Sequence, residues 1–593
     1  MLIDSDELFD ESLRQLVCAD NERIALDTET TGIDGIKDGR DFLIGLAVGF
    51  YHLGQWKSYY YPIRHKEGNL PERKIEALRE CLAYLTDPDA SATKLIFHNA
   101  KFDIHSLATW GFDYLYETGY FLDTMVIAHM INEELPSKEL DWLGKKYLDE
   151  EKLDGVKDIG RLFGWRAIPP KLMDEYSCQD VKMTYDLAIL FVPELRRQGL
   201  HLLWNDEMEF IRMLARCEHN GLEFVPQAAY DLAEQGNKRL QEIENELGFK
   251  PSESTALARV LFEDLQIEVP SREEMPEAWT PGGKPSLNKF MMEYYDEILE
   301  YSNNSLGKSV LEYRGWQKAV SSWYEAFPQL CSPDGRIRSN FKPHGTRTGR
   351  LSSHSPNLQQ LPRNSSKPWN GKVRDCFTSA PGFQLVKFDF KNLELRLAAD
   401  YCGIEPLLEA FNNNGDPHQV TADRVGVPRN PDAKNLNFAM LYGAGPKKLA
   451  YMLNRTESEG AKIHSDFKES YPGFVSTTRF VTNTAKSRGY IKYWSGRRKH
   501  YNYYNRDEQH KSFNALIQGG GAEIVKHAAL RCRDLESDDC RFVLTVHDEL
   551  DFEIREDLVA QYIPEIISRM EQPPNDKFQV TFTVEHSLWG EKD

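Results

Sequence analysis

Residues 385–400, LVKFDFKNLELRLAAD, change from a strand pattern to a helix pattern within a few residues of a carboxylate. Leu385, Val386, Phe388 and Phe390 form an apolar run short enough for a buried strand, and Leu393, Leu395 and Leu397, spaced among Glu394 and Arg396, read as the helix that follows. Asp389 stands near the strand exit. A carboxylate there is costly unless it is paired or holds a metal. Alone, the pattern suits a helix cap as well as a metal ligand, and the choice depends on which other acids arrive in the same way.

The chain has 593 residues, too many for one core, and its length predicts about three to four domains. Apolar residues make up 41% and no apolar run approaches ~18 residues, so no membrane-spanning helix is expected. The acidic opening, MLIDSDELFDESLRQL, lacks the basic and apolar regions of a signal peptide. Nine scattered cysteines without a CxxC pair fit a reducing cytoplasm better than a disulfide framework or a zinc site. The net charge of −20 argues against a nucleic-acid partner, but phosphate binding depends on where charge is placed. Residues 335–374 hold nine Lys or Arg and no acid, and residues 486–499, KSRGYIKYWSGRRK, hold six more. Such stretches form either a solvated face or a phosphate track. In so acidic a chain the track is expected.

Residues 23–32, RIALDTETTG, end a short strand pattern with Asp27 and Glu29 two apart, hence on one face. Two such acids repel unless a cation lies between them. The next strand-like run, residues 94–97, leads into HNAKFD with Asn99 and Asp103. Further on, MDEYSCQDVKMTYDL has helical periodicity and sets Tyr176 and Asp180 one above the other. Four carboxylates on two strand ends and a helix would make a two-metal site for phosphodiester hydrolysis, with the Tyr176 hydroxyl orienting water. Asp123, in FLDTMVIAHM, could be counted a fifth ligand, but a helix N-cap or surface role suits it better. The order D-x-E, N-x-x-F-D, Y-x-x-x-D resembles that of the DEDDy 3′–5′ exonucleases. All four acids and the tyrosine are present, which implies an active site.

From residue 200 the pattern turns helical: WNDEMEFIRMLARCEHNGLEF, then amphipathic stretches over 228–248, 254–265 and 303–324, with a Pro/Gly/Glu-rich loop over 270–285. A DNA-gripping thumb and any other helical hairpin fit these equally. Between Ile267 and Leu287 only about twenty residues are available, too few for a large insertion at a thumb tip.

The last third carries RTGRLSSHSPNLQQLP, then DFKNLELR, then NPDAKNLNFAMLYGAG, GYIKYWSGRRKHY, NALIQGGGAEIVKHA and RFVLTVHDELDFEI. Lys434, Phe438 and Tyr442 are four apart on one helix face, and the final segment reads as two strands around a turn holding His547, Asp548 and Glu549. In this order the segments resemble the motifs of the family A DNA polymerases, the DNA polymerase I family. Phe390 stands where that family usually has Tyr, and Thr545 replaces a common Gln. Asn430 occupies the position of a family Arg, with Arg429 one residue further off and Pro431 intervening, so that contact is either taken over by Arg429 or lost.

The resemblance implies an α/β and α+β multidomain chain: an RNase H-like 3′–5′ exonuclease domain over residues 1–195, then a right-hand polymerase over 196–593. The thumb is expected at about 230–325, the palm at 196–229, 326–415 and 505–593, and the fingers at 416–504. It implies that Asp389 and Asp548, with Glu549 beside them, hold two Mg²⁺ ions, and that Asp27, Glu29, Asp103 and Asp180 hold two more, Mn²⁺ being able to substitute. Glu394 would exclude a 2′-hydroxyl, while His418, Arg429, Lys434, Phe438 and Tyr442 would contact the dNTP. His418, taken alone, also suits a surface or core role. Arg350, Asn357, Gln359, Asn514, Gln518 and His547 would meet primer–template DNA. The implied protein is a phage-type replicative DNA polymerase with proofreading, without room for an N-terminal 5′ nuclease. It would act in the cytoplasm as a monomer, with a helicase or single-strand-binding protein as partners. A single-subunit RNA polymerase and a non-catalytic DNA-binding scaffold are the alternatives.

Overall fold

The computed structural model describes residues 1–32, 43–153, 155–273, 275–362, 367, 369, 372–502 and 506–589; Arg363 of the first basic stretch lies outside them. Contacts divide the chain into two units. The first comprises Met1–Gly221, Ser339–Ser355 and Gly382–Ser587, and the second Leu222–Arg338, Pro356–Pro381 and Leu588–Asp593.

The first unit begins around a five-stranded sheet of β1 (Arg23–Thr30), β2 (Leu43–His52), β3 (Gln55–Pro62), β4 (Lys94–Phe97) and β5 (Tyr120–Asp123), in the order β3-β2-β1-β4-β5. The β1–β2 and β2–β3 pairs are antiparallel, whereas β1–β4 and β4–β5 are parallel. Parallel pairs need crossovers. Helix α1 (Ala100–Ala108) supplies one, and α2 (Thr124–Ile131) follows β5. A long helix, α3 (Pro170–Arg197), crosses β1 to β4 and closes the core with Met173, Val181, Met183 and Leu187. Helix α4 (His201–Asn220) comes next and buries three charged side chains, Glu207, Arg212 and Glu218.

The later segments of this unit form a four-stranded sheet from β6 (Phe383–Phe390), β9 (Cys540–Val546), β10 (Glu549–Arg555) and β11 (Val584–Leu588), in the order β9-β10-β6-β11. Helices α5 (Leu393–Cys402), α6 (Pro417–Val425) and α7 (Lys434–Leu441) follow β6, and a hairpin of β7 (Tyr490–Lys492) and β8 (Arg498–His500) precedes the buried helix α8 (Ser512–Cys532). Three consecutive glycines inside α8 look like a weakness, since each costs about 1 kcal/mol of helix propensity relative to Ala. Gly519 has a steric reason, because a Cβ there would lie 2.0 Å from Cζ of Tyr493. Gly521 does not, its nearest neighbour being Leu393 at 3.6 Å.

In the second unit a small antiparallel sheet pairs Leu222–Phe224 with Arg336–Ile337 and with Phe377–Thr378. Helices Pro226–Leu247, Ser254–Arg259, Lys289–Glu300 and Leu306–Ala319 accompany it. Their core is Leu257, Leu261, Met291, Met292, Tyr295 and Val310. Among the described residues no helix is long and apolar enough to cross a membrane.

Three cations of the two basic stretches, Arg338, Arg497 and Lys499, are taken up by acids within the fold. Arg497 is buried against Glu207 and Glu523, and Lys499 against Glu133 and Glu134. Arg338 pairs with Asp334 at 2.5 Å. The acids that neutralise Arg497 and Lys499 come from distant segments, so an acid-free stretch of sequence is not an acid-free surface.

Substitution at the two glycines separates packing from propensity. Gly519→Ala should lower the denaturation midpoint, costing about 1–3 kcal/mol through collision with Tyr493, while Gly521→Ala should be neutral or stabilising by up to about 1 kcal/mol. Urea titrations of the two variants check this, and equal behaviour would refute the packing argument.

Candidate active sites

The first cluster assembles at the exits of β1 and β4. Asp27 and Glu29 alternate onto one face of β1, and the strand register against β2 shifts between Glu29 and Thr30, an irregularity of the kind that re-aims side chains. β4 pairs with β1 only as far as Ala25. Beyond it Thr28 donates both its N–H and its hydroxyl to Asp103 Oδ1, at 2.9 and 2.8 Å. Asp103 reaches that point because Asn99 turns the chain through a left-handed backbone (φ 76°) into α1. Ser177, next to Tyr176 and three residues before Asp180 on α3, donates to Glu29 Oε1 at 2.6 Å. Asp123 is the N-cap of α2: it accepts from the backbone N–H groups of Met125 and Val126, and also from Asn99 and Ala100.

Burial pushes all four candidate carboxyls up; neighbouring acids add to the shift, and at Asp27, Glu29 and Asp180 the Lys152 ammonium opposes it. Glu29 is raised to about 7, Asp103 to about 8 and Asp180 to about 6. Asp27 is raised well above the usual carboxylate range, first by burial and then by Glu29, Asp103 and Asp180. Sequence reasoning did not find Lys152, which lies between helices in a segment without periodicity. Its ammonium pairs with Asp180 Oδ2 and donates to the Tyr176 hydroxyl at 3.4 Å. Asp180 Oδ1 is buried and accepts no hydrogen bond from the described residues. A cavity of about 670 Å³ opens at the other end of these strands, beside Arg23, Lys94 and Tyr120, and contains none of the candidate residues.

The second cluster lies where β6 and β10 run side by side. Asp389 is directly opposite Glu549, and the Phe390 N–H donates to the Asp548 carbonyl at 3.2 Å. The β9–β10 connection has only two residues, His547 and Asp548. So tight a hairpin turn needs a positive φ, and His547 supplies it (φ 57°). Asp548 is raised chiefly by burial, with Arg350 opposing the shift. Glu394, in the first turn of α5, is gripped from two sides: Arg350 pairs with Oε1, and the Tyr442 hydroxyl donates to Oε2 at 2.7 Å.

Lys434 begins α7 and Tyr442 caps its end, both exposed, with Phe438 half-buried between them. His418 is buried, its Nδ1 3.0 Å from the Asn437 side chain and its ring 6.1 Å from Phe438. Arg429 turns to Asp416 (2.7 Å) and to Asn430 Oδ1 (2.6 Å), so its guanidinium answers a local acid. On α8, Asn514 and Gln518 are half-buried positions on an otherwise buried stretch, which gives them a common open face. Asn357 and Gln359 belong to the second unit, at the 3₁₀ turn Leu358–Gln360. Among the described residues no group of three or more His, Cys, Asp or Glu stands in ready metal-ligating geometry.

Comparison with known proteins follows the same division. The family description "3'-5' exonuclease" matches residues 2–196, and "DNA polymerase family A" matches residues 224–591. DNA polymerase I of Pseudomonas aeruginosa is 27% identical over 601 residues, covering 93% of this chain and 61% of that protein. DNA polymerase DpoZ of Salmonella phage PMBT28 is 27% identical over 591 residues, covering 89% of each. The chain thus spans about three fifths of the bacterial relative's length and nearly all of the phage relative's. In fold it is similar to the POL domain of Pol1 from M. smegmatis, solved in complex with DNA primer-template and dNTP. That likeness has a TM-score of 0.80 at 22% identity and covers 99% of this chain and 98% of that one. With its family description matched from residue 224 to 591, well over half its length, the chain belongs to DNA polymerase family A.

Proposed function

We propose that this chain is a DNA-templated DNA polymerase that extends a primer 3′ end with dNTPs and removes mispaired 3′ ends at a separate hydrolytic site. The observation that carries the reading is the meeting of Asp389, Asp548 and Glu549 at one hairpin, beside a Glu394 held by Arg350 and Tyr442. Family membership and the match of residues 2–196 to a 3′–5′ exonuclease support it. They also disfavour a single-subunit RNA polymerase or a non-catalytic scaffold.

Family A polymerases and their exonucleases depend on metals as a class. The donor sets fit divalent cations: each is a group of buried or half-buried carboxylates, and Asp180 Oδ1 is a buried oxygen in one of them that accepts no hydrogen bond from the described residues. Asp389 and Asp548 would hold Mg²⁺ in one site, and Asp27, Glu29, Asp103 and Asp180 in the other, with Mn²⁺ as a substitute. Bound there, the cations would acidify the attacking hydroxyl or water and neutralise charge on the phosphates. Glu394 fills the space beneath the sugar and excludes a 2′-hydroxyl, with Arg350 and Tyr442 fixing its carboxylate. Lys434 offers an exposed cation to the triphosphate, and Phe438 and Tyr442 offer rings to sugar and base. His418, inside its pocket with Asn437, supports the phosphate end, while Arg429 would have to leave Asp416 to do so. Arg350, Asn357, Gln359, Asn514, Gln518 and His547 complete the DNA contacts, and Tyr176 orients the hydrolytic water. Bacterial and phage relatives support the cytoplasm as the compartment. A monomer that meets a helicase or single-strand-binding protein completes this reading.

A labelled primer–template with Mg²⁺ tests it. Extension is expected with dNTPs and 3′ shortening without them. Asp389→Ala should reduce synthesis by on the order of a thousandfold and leave shortening intact, and Asp27→Ala should do the reverse. Undiminished synthesis by Asp389→Ala would end the assignment. Glu394→Ala should raise ribonucleotide incorporation in the same assay.

The raised carboxyls also predict a pH dependence of the metal-free protein. Folded Glu29, Asp103 and Asp180 keep protons that the unfolded chain releases near pH 4. The stability this confers is complete below that pH and fades as pH rises through about 6 to 8. In EDTA the melting temperature should fall between pH 6 and 8.5, and Mg²⁺ should restore it. Asp103→Asn keeps the acceptor for Thr28 without an ionisable proton, so its fall should be smaller; an equal fall would contradict the account.

A further inference from the structure

Lys152 is held in place as deliberately as the acids it faces. Gln179, the neighbour of Asp180 on α3, donates its side-chain amide to the Glu151 carbonyl at 2.9 Å and accepts the Leu153 N–H at 3.1 Å. The backbone on both sides of Lys152 is therefore clamped to the helix that carries Asp180. The lysine side chain is only 13% exposed. Its ammonium pairs with Asp180 Oδ2, lies 3.6 Å from Asp141 and stands 4.9 Å from the centre of the Tyr176 ring. Asp141 is shared with Lys157 at 3.3 Å, which leaves Asp180 as the main partner of Lys152.

We propose that Lys152 is a positioning residue of the hydrolytic site: a built-in counter-ion that holds the carboxylate cluster together before divalent cations bind and competes with them for Asp180. The proposal rests on the hydrolytic reading of Asp27, Glu29, Asp103 and Asp180. Four carboxylates packed at two strand ends repel one another, and an adjacent ammonium removes part of that repulsion. The same ammonium must then repel a divalent cation that shares Asp180. Because Lys152 occupies Oδ2, the unpartnered Oδ1 is the oxygen left for such a cation. A fixed charge of +1 also leaves the loaded site more positive, which favours the approach of a phosphodiester anion.

The test uses the full chain with the polymerase carboxylates removed (Asp389→Ala, Asp548→Ala), so that Mn²⁺ reports on the hydrolytic site alone. Mn²⁺ binding is titrated by electron paramagnetic resonance at pH 8, and thermal melting is recorded in EDTA. In this background Lys152→Met should bind Mn²⁺ about tenfold more tightly, melt at a lower temperature in EDTA, and gain more from added Mn²⁺. Lys152→Arg should return both properties toward those of the parent. Unchanged Mn²⁺ affinity, weaker binding, or unchanged melting in EDTA would overturn the proposal. If Lys152→Met does not fold, Lys152→Gln carries the same comparison. Neither readout needs turnover, so a parent that binds Mn²⁺ but cannot shorten a 3′ end would count against the hydrolytic reading and not against the counter-ion.

Discussion

The arrangement of the first unit depends on buried charges that have to be paired. Helix α4 carries two of the pivots. Glu218 takes Lys101 and His105 from α1 and the Phe341 N–H from a later segment. Glu207 takes Arg497 and Lys526, which Glu523 shares. Burial pushes Glu218 and Glu523 up, but the neighbouring cations outweigh it, leaving Glu218 below the usual range and Glu523 at about 2. Losing one member of such a set strands a charge in the interior, at a cost of about 3–5 kcal/mol. The geometric demand is therefore strict, and it fixes α1, α4, the β7–β8 hairpin and α8 to one another.

Both candidate sites put like charges where strands end and soften the conflict with a cation from outside the motif. Beside Asp180 it is Lys152, and beside Asp548 and Glu394 it is Arg350. The two cations differ as their settings do. Arg350 works with a tyrosine hydroxyl to hold a carboxylate from two sides, whereas Lys152 leaves one oxygen of Asp180 unpartnered. The first arrangement fixes the Glu394 carboxylate in place. The second leaves a donor available. Backbone strain accompanies both, in the left-handed Asn99 that turns into α1 and the left-handed His547 at the hairpin tip.

The basic stretches show that charge read along a chain does not by itself separate surface cations from interior ones. Residues 486–499 looked like a phosphate track because no acid lies within them. In the fold Arg497 and Lys499 are interior residues whose partners, Glu207, Glu133 and Glu134, are hundreds of positions away. The cations of that stretch are shared between surface and core, and only the fold separates the two roles.

What the sequence determined by itself was local and periodic. Alternation placed Asp27 and Glu29 on one face, four-residue spacing stacked Tyr176 on Asp180 and aligned Lys434, Phe438 and Tyr442, and two short apolar runs around His547 and Asp548 announced a hairpin. Each follows from the repeat of a strand or a helix, which a few consecutive residues already contain. The tertiary structure alone decided which distant groups meet. It put Thr28 on Asp103 because β4 stops short along β1, put Lys152 on Asp180 because Gln179 clamps a loop of no periodic pattern, and turned Arg429 toward Asp416. It also gave the exposed-looking run at Arg497 an interior. These pairings join residues from 13 to hundreds of positions apart, and no local repeat encodes them, because burial and charge balance are properties of the assembled fold.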